Sequence, residues 1–525
     1  MGMKPAGKAV IMLAVVGGLI AAFHYRSAII PEGKKAEDVT GLMAKGSSDS
    51  DLSDGTGNSA AVPSNNKCIE VGVVTWGGYV GGQFWNQGFK DNANSRYRKD
   101  GICVNFTVMD DFAASRAAFR GGKMDAMWST IDSFPTESGG IDGGVKFLFQ
   151  ADWSRGGDAI VVRSGIKSVA DLAGKKIAVA EATPSHTFLL WMLDMGGLSM
   201  MDVTIVKQNS AIDAATAFKS NNVDAAVVWS PDDDGCINAV KGSSVLINTK
   251  KATHIIADGF FVKEKVYQAR KGDFAKLVRG WLQGAKEIND NPAAKAKAAQ
   301  ILQQNLTGVD PEFALRAINN TRLATYGDNL EFFGLAPNYT GVTGKQLYEK
   351  MTTVYGKLNL APNPLPWEKI VDLEFIKGLG LDAAQGGVAE QKATFTTPTA
   401  AVAQSKAIAS KPVKVSFASG SSVLDENAKG IIDMLFIDAA KAFPSQHIRI
   451  IGNTDNTGNA AANTRISKER AKAVVDYLVT QHGFDRNRFS PLNGDGVGPS
   501  NPLCSEDTPA CLAKNRRTDF QILEN

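Results

Sequence analysis

The chain has 525 residues, more than one hydrophobic core usually organises, so two or three domains are expected. Its formal net charge is +3, from 57 Lys and Arg against 54 Asp and Glu, with both signs mixed along the chain, which leaves no basic footprint for nucleic acid. With only five His and five Cys, the chain shows no Cys/His metal spacing and no G-x-S-x-G or H-E-x-x-H motif, so few residues are candidates for hydrolase or metal chemistry, and neither a cofactor nor a metal is expected.

Lys4 and Lys8 precede fifteen uncharged, mostly apolar residues, Ala9 to Phe23, followed by His24 and Arg26. That is the pattern of an export signal with its positive side inside. Fifteen residues are short for a spanning helix and suit a cleavable signal, yet small-x-small cleavage sites after them are weak. Residues 1–30 are therefore either an uncleaved inner-membrane anchor or a signal peptide, and the bulk of the chain is periplasmic in both cases. Residues 31–67 carry no Phe, Trp or Tyr and are rich in Ser, Gly, Asp and Asn, so they read as a disordered tether spanning about 35 Å.

An oxidising compartment allows disulfides. Cys504 and Cys511 lie close enough in one loop to close it, and Cys68 and Cys103 each open a predicted strand, so neighbouring strands can be stapled there. Cys236 is left over. All five reduced and buried is the alternative.

From 68 to 380, short β-type runs alternate with helical patterns, which points to α/β layering with a mostly parallel sheet. The strands are "IEVGVVTW", "ICVNFTVM", "MDAMWS", "DAIVVRS", "KKIAVAE", "MDVTIVK" and "VDAAVVW"; the helices include "FAASRAAFRGG", "SHTFLLWMLDMGG" and "AIDAATAFKSN". After about Gly259 the pattern turns mainly helical. A partial repeat, "AFRGGKMDAMWS" and "AFKSNNVDAAVVWS", ends each strand on Trp-Ser. Ligands of open α/β sheets bind at the carboxyl ends of strands, so Trp128 and Trp229 belong to two lobes facing a shared cleft, or else are core aromatics.

The order "VGVVTWGGY", "GGKMDAMWST", "QADWSRGGDAIVVR", "SVADLAGKKIAVAEATPSHTFLLWML" and "NVDAAVVWSP" resembles the two-lobed periplasmic solute-binding proteins of ABC transporters, in the branch for nitrate, sulfonates, taurine and thiamine precursors. The resemblance implies a type II-like fold, with lobe one from about 69 to 155 and again from 255 to 375, and lobe two between. It implies solute contacts at Trp76, Gly77, Gly78, Tyr79, Ser129, Asp152, Asp158, Thr183, Ser185 and Trp229, with a helix N-terminus at Thr183 to His186; His186 itself reads as a surface residue of the first turn or as a ligand contact. Gly77 and Gly78 would let backbone approach a ligand. Asp110, Asp111, Asp152, Asp158, Glu181 and Asp232 to Asp234 all fall at predicted strand ends, where they would oppose an oxyanion. A zwitterionic or amine-bearing solute fits better, unless these acids cap helices or face solvent. No enzymatic role is expected. Relatives that act in thiamine-precursor synthesis use a cysteine cluster missing here.

Residues 381–412 read as a second linker. From Val413 to Asn525 there are 13 Lys and Arg against 13 Asp and Glu, a neutral segment with a β-α-β-α-β pattern, a compact α+β domain. "GNTDNTG", Asn463, "ISKERAKAVVDYL", "NGDGVGPSNP" and "NRR" resemble the OmpA-like domain that binds peptidoglycan. The resemblance implies that Asp455 takes the ammonium of diaminopimelate and Arg470 its carboxylate, with Thr454, Thr457, Gly458 and Asn463 completing the pocket. A zwitterion needs a carboxylate and a guanidinium at fixed separation, and Arg recognises carboxylate in a bidentate way that Lys cannot. An ordinary Asp455–Arg470 ion pair is the alternative. Asn453 stands where His or Tyr is usual, which removes one peripheral contact.

The expectation is thus an exported solute-binding protein tied to peptidoglycan, with an inner-membrane protein complex as a further partner. The alternatives are an envelope scaffold with a degenerate cleft, or an enzyme on the same fold.

Overall fold

The computed structural model describes residues 67–524, apart from 308, 416 and 419. The export segment and all of the tether except Lys67 lie outside the described residues. Two mixed sheets organise the larger part. The first is built from β1 (Ile69–Val73), β2 (Val104–Val108), β3 (Ala126–Thr130) and β4 (Val145–Ser154). The chain then crosses to β5 (Asp158–Val162), β6 (Lys176–Ala180), β7 (Thr204–Gln208), β8 (Ala225–Trp229) and β9 (Ser244–Asn248) of the second sheet, and returns as β10 (Ala257–Lys263) and β11 (Thr321–Leu323) of the first. The sheet orders are β11-β4-β10-β3-β1-β2 and β7-β6-β8-β5-β9. Each sheet is the core of one lobe, and residues 155–157 and 249–256 are the two crossovers between them.

The expectation of a mostly parallel sheet is corrected. β1 pairs in parallel with β2 and β3, and β6 with β7 and β8, but β10 runs antiparallel to β3 and β4, and β5 antiparallel to β8 and β9. A strand that enters a lobe from the crossover starts at the carboxyl ends of its neighbours and must run against them. All seven expected strands form. β4, β9, β10 and β11 went unread, and β10 interrupts the stretch expected to be mainly helical.

The helices that matter for the site are α1 (Phe112–Arg120), α2 (Pro184–Met195), α3 (Glu264–Asp290) and α4 (Gly344–Lys357). α1 begins at Asp111, whose carboxylate accepts from Ala114 N at 2.7 Å and satisfies one orphan donor of the first turn. α3 packs the helix at Val80–Trp85 against the first sheet, with Trp281 in edge contact with Phe106 and Phe149. Cys68–Cys103 joins the starts of β1 and β2, and Cys504–Cys511 closes its loop; Cys236 is free and buried.

The C-terminal domain is a four-stranded sheet of order β12-β15-β13-β14, from β12 (Ala407–Val413), β13 (Ile448–Asn453), β14 (Asp495–Gly498) and β15 (Thr518–Leu523), with α5 (Ala460–His482) against it. Two expectations change here. The first strand lies inside the stretch read as linker, because the alternation that buries Ala409, Lys411 and Val413 is masked in sequence by Lys and Pro; Pro412 is tolerated because β12 is an edge strand. The rest of that stretch is packed as well. Glu390 pairs with Arg155 at 2.5 Å, and the Phe395 ring lies 5.2 Å from that of His447.

Candidate functional site

Two sites emerge, one between the lobes and one at the end of the C-terminal sheet. In the first, β4 and β10 place Asp152 and Asp258 side by side as cross-strand partners, and β5 places Asp158 opposite Trp229 of β8. Trp76 Nε1 donates to Asp152 at 3.2 Å, Tyr79 Oη to Asp258 at 2.6 Å, and Ser154 Oγ to Asp158 at 2.7 Å. Asp132 accepts from Ala257 N at 3.2 Å. All four carboxyls are buried. Burial pushes Asp132 and Asp158 up to about 7. It pushes Asp152 and Asp258 well above the carboxylate range, with the neighbouring acids adding to the rise. Arg116, whose charge reaches Tyr79 of this cluster, is taken by Glu137, which also accepts from Ser129 Oγ at 2.8 Å.

Aromatic rings close the space above these acids. Trp128 of lobe one and Trp229 of lobe two meet edge to face with centroids 6.4 Å apart, and Phe112 touches both. The two Trp-Ser strand ends thus meet between the lobes, with Trp128 buried in the core and Trp229 half-buried. Trp229 Nε1 donates to Ser185 Oγ at 2.9 Å. A cavity of ≈ 10 Å³ remains beside Trp76, Tyr79, Trp128, Asp158, Trp229 and Asp258, about the room of one water. The lobes are also held together by α4: Tyr348 Oη bonds Ser138 Oγ on lobe one, and Tyr355 Oη bonds Thr187 Oγ1 on lobe two, each at 2.8 Å.

Several expected contacts do other work. A Cβ on Gly78 would lie 1.9 Å from Asp152 Oδ2, and one on Gly77 2.3 Å from the Ala317 backbone, so these glycines admit the protein's own groups rather than a ligand. Gly78→Ala should therefore displace Asp152 and destabilise the fold by about 1–3 kcal/mol, read by thermal unfolding. Ser129 is buried against Glu137, and Thr183 Oγ1 donates to Ala180 O. His186 is buried, which corrects its reading as a surface residue: Nδ1 accepts from Ala182 N, its ring meets Tyr355, and burial lowers it to about 4. Asp110 accepts from Thr75, Glu181 pairs with Lys207, Asp232 with Lys219 and Asp234 with Arg316, so for these acids and Asp111 the capping or solvent-facing alternative describes what is seen. Asp152 and Asp158 of that set lie in the cleft, and Asp233, itself raised by burial, is close enough to Asp158 to raise it further. Sequence reasoning missed Asp132 and Asp258.

At the second site Asp455 sits just past β13. Its Oδ2 accepts from Arg516 Nη1 at 2.5 Å, and its Oδ1 accepts from Thr457 N and Oγ1. Burial alone would raise Asp455, but the bonds from Thr457 and Arg516 outweigh it and hold the carboxyl below its ordinary range. Thr454 Oγ1 donates to Asp455 O, Asn463 Nδ2 to Thr457 O at 2.8 Å, and Gly458 takes φ +84° to turn the loop into α5. Arg470 on α5 does not pair with Asp455. Its Nε and Nη2 donate to Ser421 O and Ala418 O, its guanidinium lies over the Phe417 ring, and its charge feels both Arg516 and Asp455. Asn453 is buried and donates to Asp519 at 3.0 Å, so it supports the sheet. Arg516 of "NRR", which holds Asp455, had no role assigned from the sequence.

The OmpA family model matches residues 416–516, and the model described as NMT1/THI5 like matches residues 158–295. Among curated proteins, the chain is similar to the probable lipoprotein YiaD of Escherichia coli, 33% identical over 115 residues, which cover 22% of this chain and 50% of that protein. It is also similar to the peptidoglycan-binding protein ArfA of Mycobacterium tuberculosis, 40% identical over 85 residues, 16% of this chain and 25% of ArfA. The chain thus spans half or less of these relatives' length. Among solved structures it is similar to the alkanesulfonate-binding protein SsuA from Xanthomonas axonopodis pv. citri bound to MOPS, with 18% identity, 60% of this chain and 99% of that chain covered, and a TM-score of 0.45.

Proposed function

We infer that this chain, which carries an OmpA family domain behind a two-lobed α/β region with an NMT1/THI5 like segment, is an envelope protein that holds peptidoglycan with one end and binds a small polar solute with the other. The observation that carries the wall-binding half is an ionised Asp455 and a desolvated Arg470 flanking one loop, the pair of opposite charges a diaminopimelate zwitterion requires. Its pocket comprises Thr454, Thr457, Gly458 and Asn463 around them. The matched relative ArfA is itself named for peptidoglycan binding, which supports the reading.

For the solute half, the cleft holds four buried carboxyls and aromatic walls. That chemistry favours an amine-bearing or zwitterionic solute, because an ammonium would gain both the carboxylates and the ring faces. Admission requires the lobes to part, since the closed cleft has room for about one water. Titration calorimetry of the full-length protein against amine, amino-acid, sulfonate and phosphate panels tests this. Amines should bind, and more tightly at pH 8 than at pH 6, because each must displace protons from Asp132 and Asp158. Binding of sulfonates or phosphates alone would defeat the amine reading.

The same small cavity favours a second reading, an envelope scaffold whose cleft is filled by its own Trp side chains. No heat and no thermal shift with any panel would select it. Localisation is proposed as periplasmic, tethered to the inner membrane through residues 1–30 or released from it, with an inner-membrane complex as partner. N-terminal sequencing of the mature protein separates tethered from released.

A further inference from the structure

The C-terminal domain touches lobe two, the crossover and lobe one at once. On lobe two, Lys411 Nζ donates to Asp194 Oδ2 at 2.6 Å, and a Cβ on Gly197 would lie 3.2 Å from Pro412 Cδ. At the second crossover, His254 N donates to Ala442 O at 3.3 Å, and Lys251 pairs with Glu524. From α4, which is bonded to both lobes, Lys350 reaches Asp438 at 3.5 Å. Between these contacts lies a cavity of ≈ 400 Å³, walled on one side by Gln150 and Trp153 of β4 and Arg155 of the first crossover and on the other by Phe484 and Arg488.

We propose that the C-terminal domain has a further function as a clamp on the hinge: docked, it holds the lobes closed, and the cleft opens only when this docking face lets go. Rotation of the lobes about residues 155–157 and 249–256 changes the separation of Asp194, Lys251 and Lys350, whereas their partners all belong to the C-terminal domain: Lys411 on β12, Glu524 just past β15, and Asp438 at the start of the helix Asp438–Ala442. At least one set of contacts must break. The pairs are partly exposed and individually weak, so the clamp is reversible.

The crossover contacts of the clamp lie far from the wall pocket. Lys411 and Pro412 pair with Phe520 and Asp519 in the body of β15 and face lobe two, whereas the contacts around Ala442 and Glu524 lie at the start of β13 and the end of its antiparallel partner β15, and Asp455 and Arg516 lie at the opposite ends of the same two strands. Six residues of strand separate them by about 20 Å. The domain can grip peptidoglycan and the hinge together, so the state of the cleft becomes sensitive to how the domain is held at the wall.

Electron–electron distance measurements on the full-length protein test this without any solute. One label pair, Lys123→Cys with Asn222→Cys, reports the two lobes, and a second, Asn222→Cys with Lys468→Cys, reports docking; all three positions are exposed, while the free Cys236 is buried. In a Lys251→Glu, Lys411→Glu background the docking distance should broaden and a second interlobe distance should appear. Adding Asp194→Lys and Glu524→Lys should restore both single distances. If docking is lost and the interlobe distance stays unchanged, or if docking survives the reversals, the clamp is overturned.

Discussion

Replacing Asp158 by Asn should make the protein's stability less sensitive to pH between about 4 and 7, by roughly 1.4 kcal/mol per pH unit. The Asp158 carboxyl is raised from 3.8 to about 7 because burial disfavours its charged form, with Asp233 adding to the rise. In this window the folded chain keeps a proton that the unfolded chain has released. Stability therefore falls as pH rises from about 4 to about 7, and the loss is complete above 7. Over about three units it amounts to on the order of 4 kcal/mol for one carboxyl.

Other groups shape the wild-type curve, so the difference between variant and wild type is the quantity to measure. Asp132 acts in the same direction over the same range. The buried His186, lowered to about 4, and His254, also lowered by burial, act in the opposite direction below their ordinary 6.5, because the unfolded chain takes up protons there that the folded chain refuses. Asp372, held near 2, contributes nothing to the slope above about pH 5. Denaturant unfolding of both proteins from pH 4.5 to 8 should show Asp158→Asn gaining steadily on wild type up to about pH 7. A constant difference would mean that Asp158 is ionised throughout, and that the cleft is wetter or differently paired than described.

How far the sequence foretold this cleft depends on where each acid sits. Asp158 opens the run "DAIVVRS" read as a strand, and Asp152 stands just before it across Gly156 and Gly157, so both could be picked out near a strand end. Asp258 lies at the start of β10, inside "ADGFFVK", where no alternation separates strand from helix. β10 and β4 are buried on both faces, and such strands read as continuous apolar runs rather than a period of two. Only the return of the chain through the second crossover sets Asp258 against Asp152. That return also explains why the parallel-sheet expectation failed: the strands read from sequence are largely the parallel ones, and the unread crossover strands supply most of the antiparallel pairings. Gly78 was noticed for the right property and assigned the wrong visitor, since the group it admits is a carboxylate 74 residues away in sequence.

The C-terminal site was more legible because most of it is local. Asp455, Thr457, Gly458 and Asn463 lie within nine residues, and a turn of this composition must fold back on itself whatever surrounds it. Arg470 follows on the same helix. Arg516 could not be placed in this way. It reaches Asp455 because β15 pairs with β13 in the register Ile451 to Asp519, which brings the residues before β15 beside those after β13. Register of that kind is set by the buried faces of both strands together, and neither segment carries it alone.

That register leads to the strongest expected effect at the wall pocket. Asp455→Ala and Arg470→Ala should each abolish sedimentation of the full-length protein with purified peptidoglycan, a loss of about 30-fold to several thousand-fold in affinity, since removing one partner of a desolvated charge pair costs about 2–5 kcal/mol. Arg516→Ala should behave differently. Arg516 holds the same Asp455 oxygen that an incoming ammonium would seek, so together with Thr457 it lowers the carboxyl in the empty domain and it competes with the ligand in the filled one. Removing it should leave sedimentation intact or strengthen it, while lowering thermal stability through the lost pair. The three variants together separate a zwitterion clamp from a structural ion pair. If Asp455 served only to hold Arg516, then Asp455→Ala and Arg516→Ala would be equivalent, and Arg470→Ala would be silent. Retained sedimentation in both Asp455→Ala and Arg470→Ala would defeat the assignment of this loop to peptidoglycan.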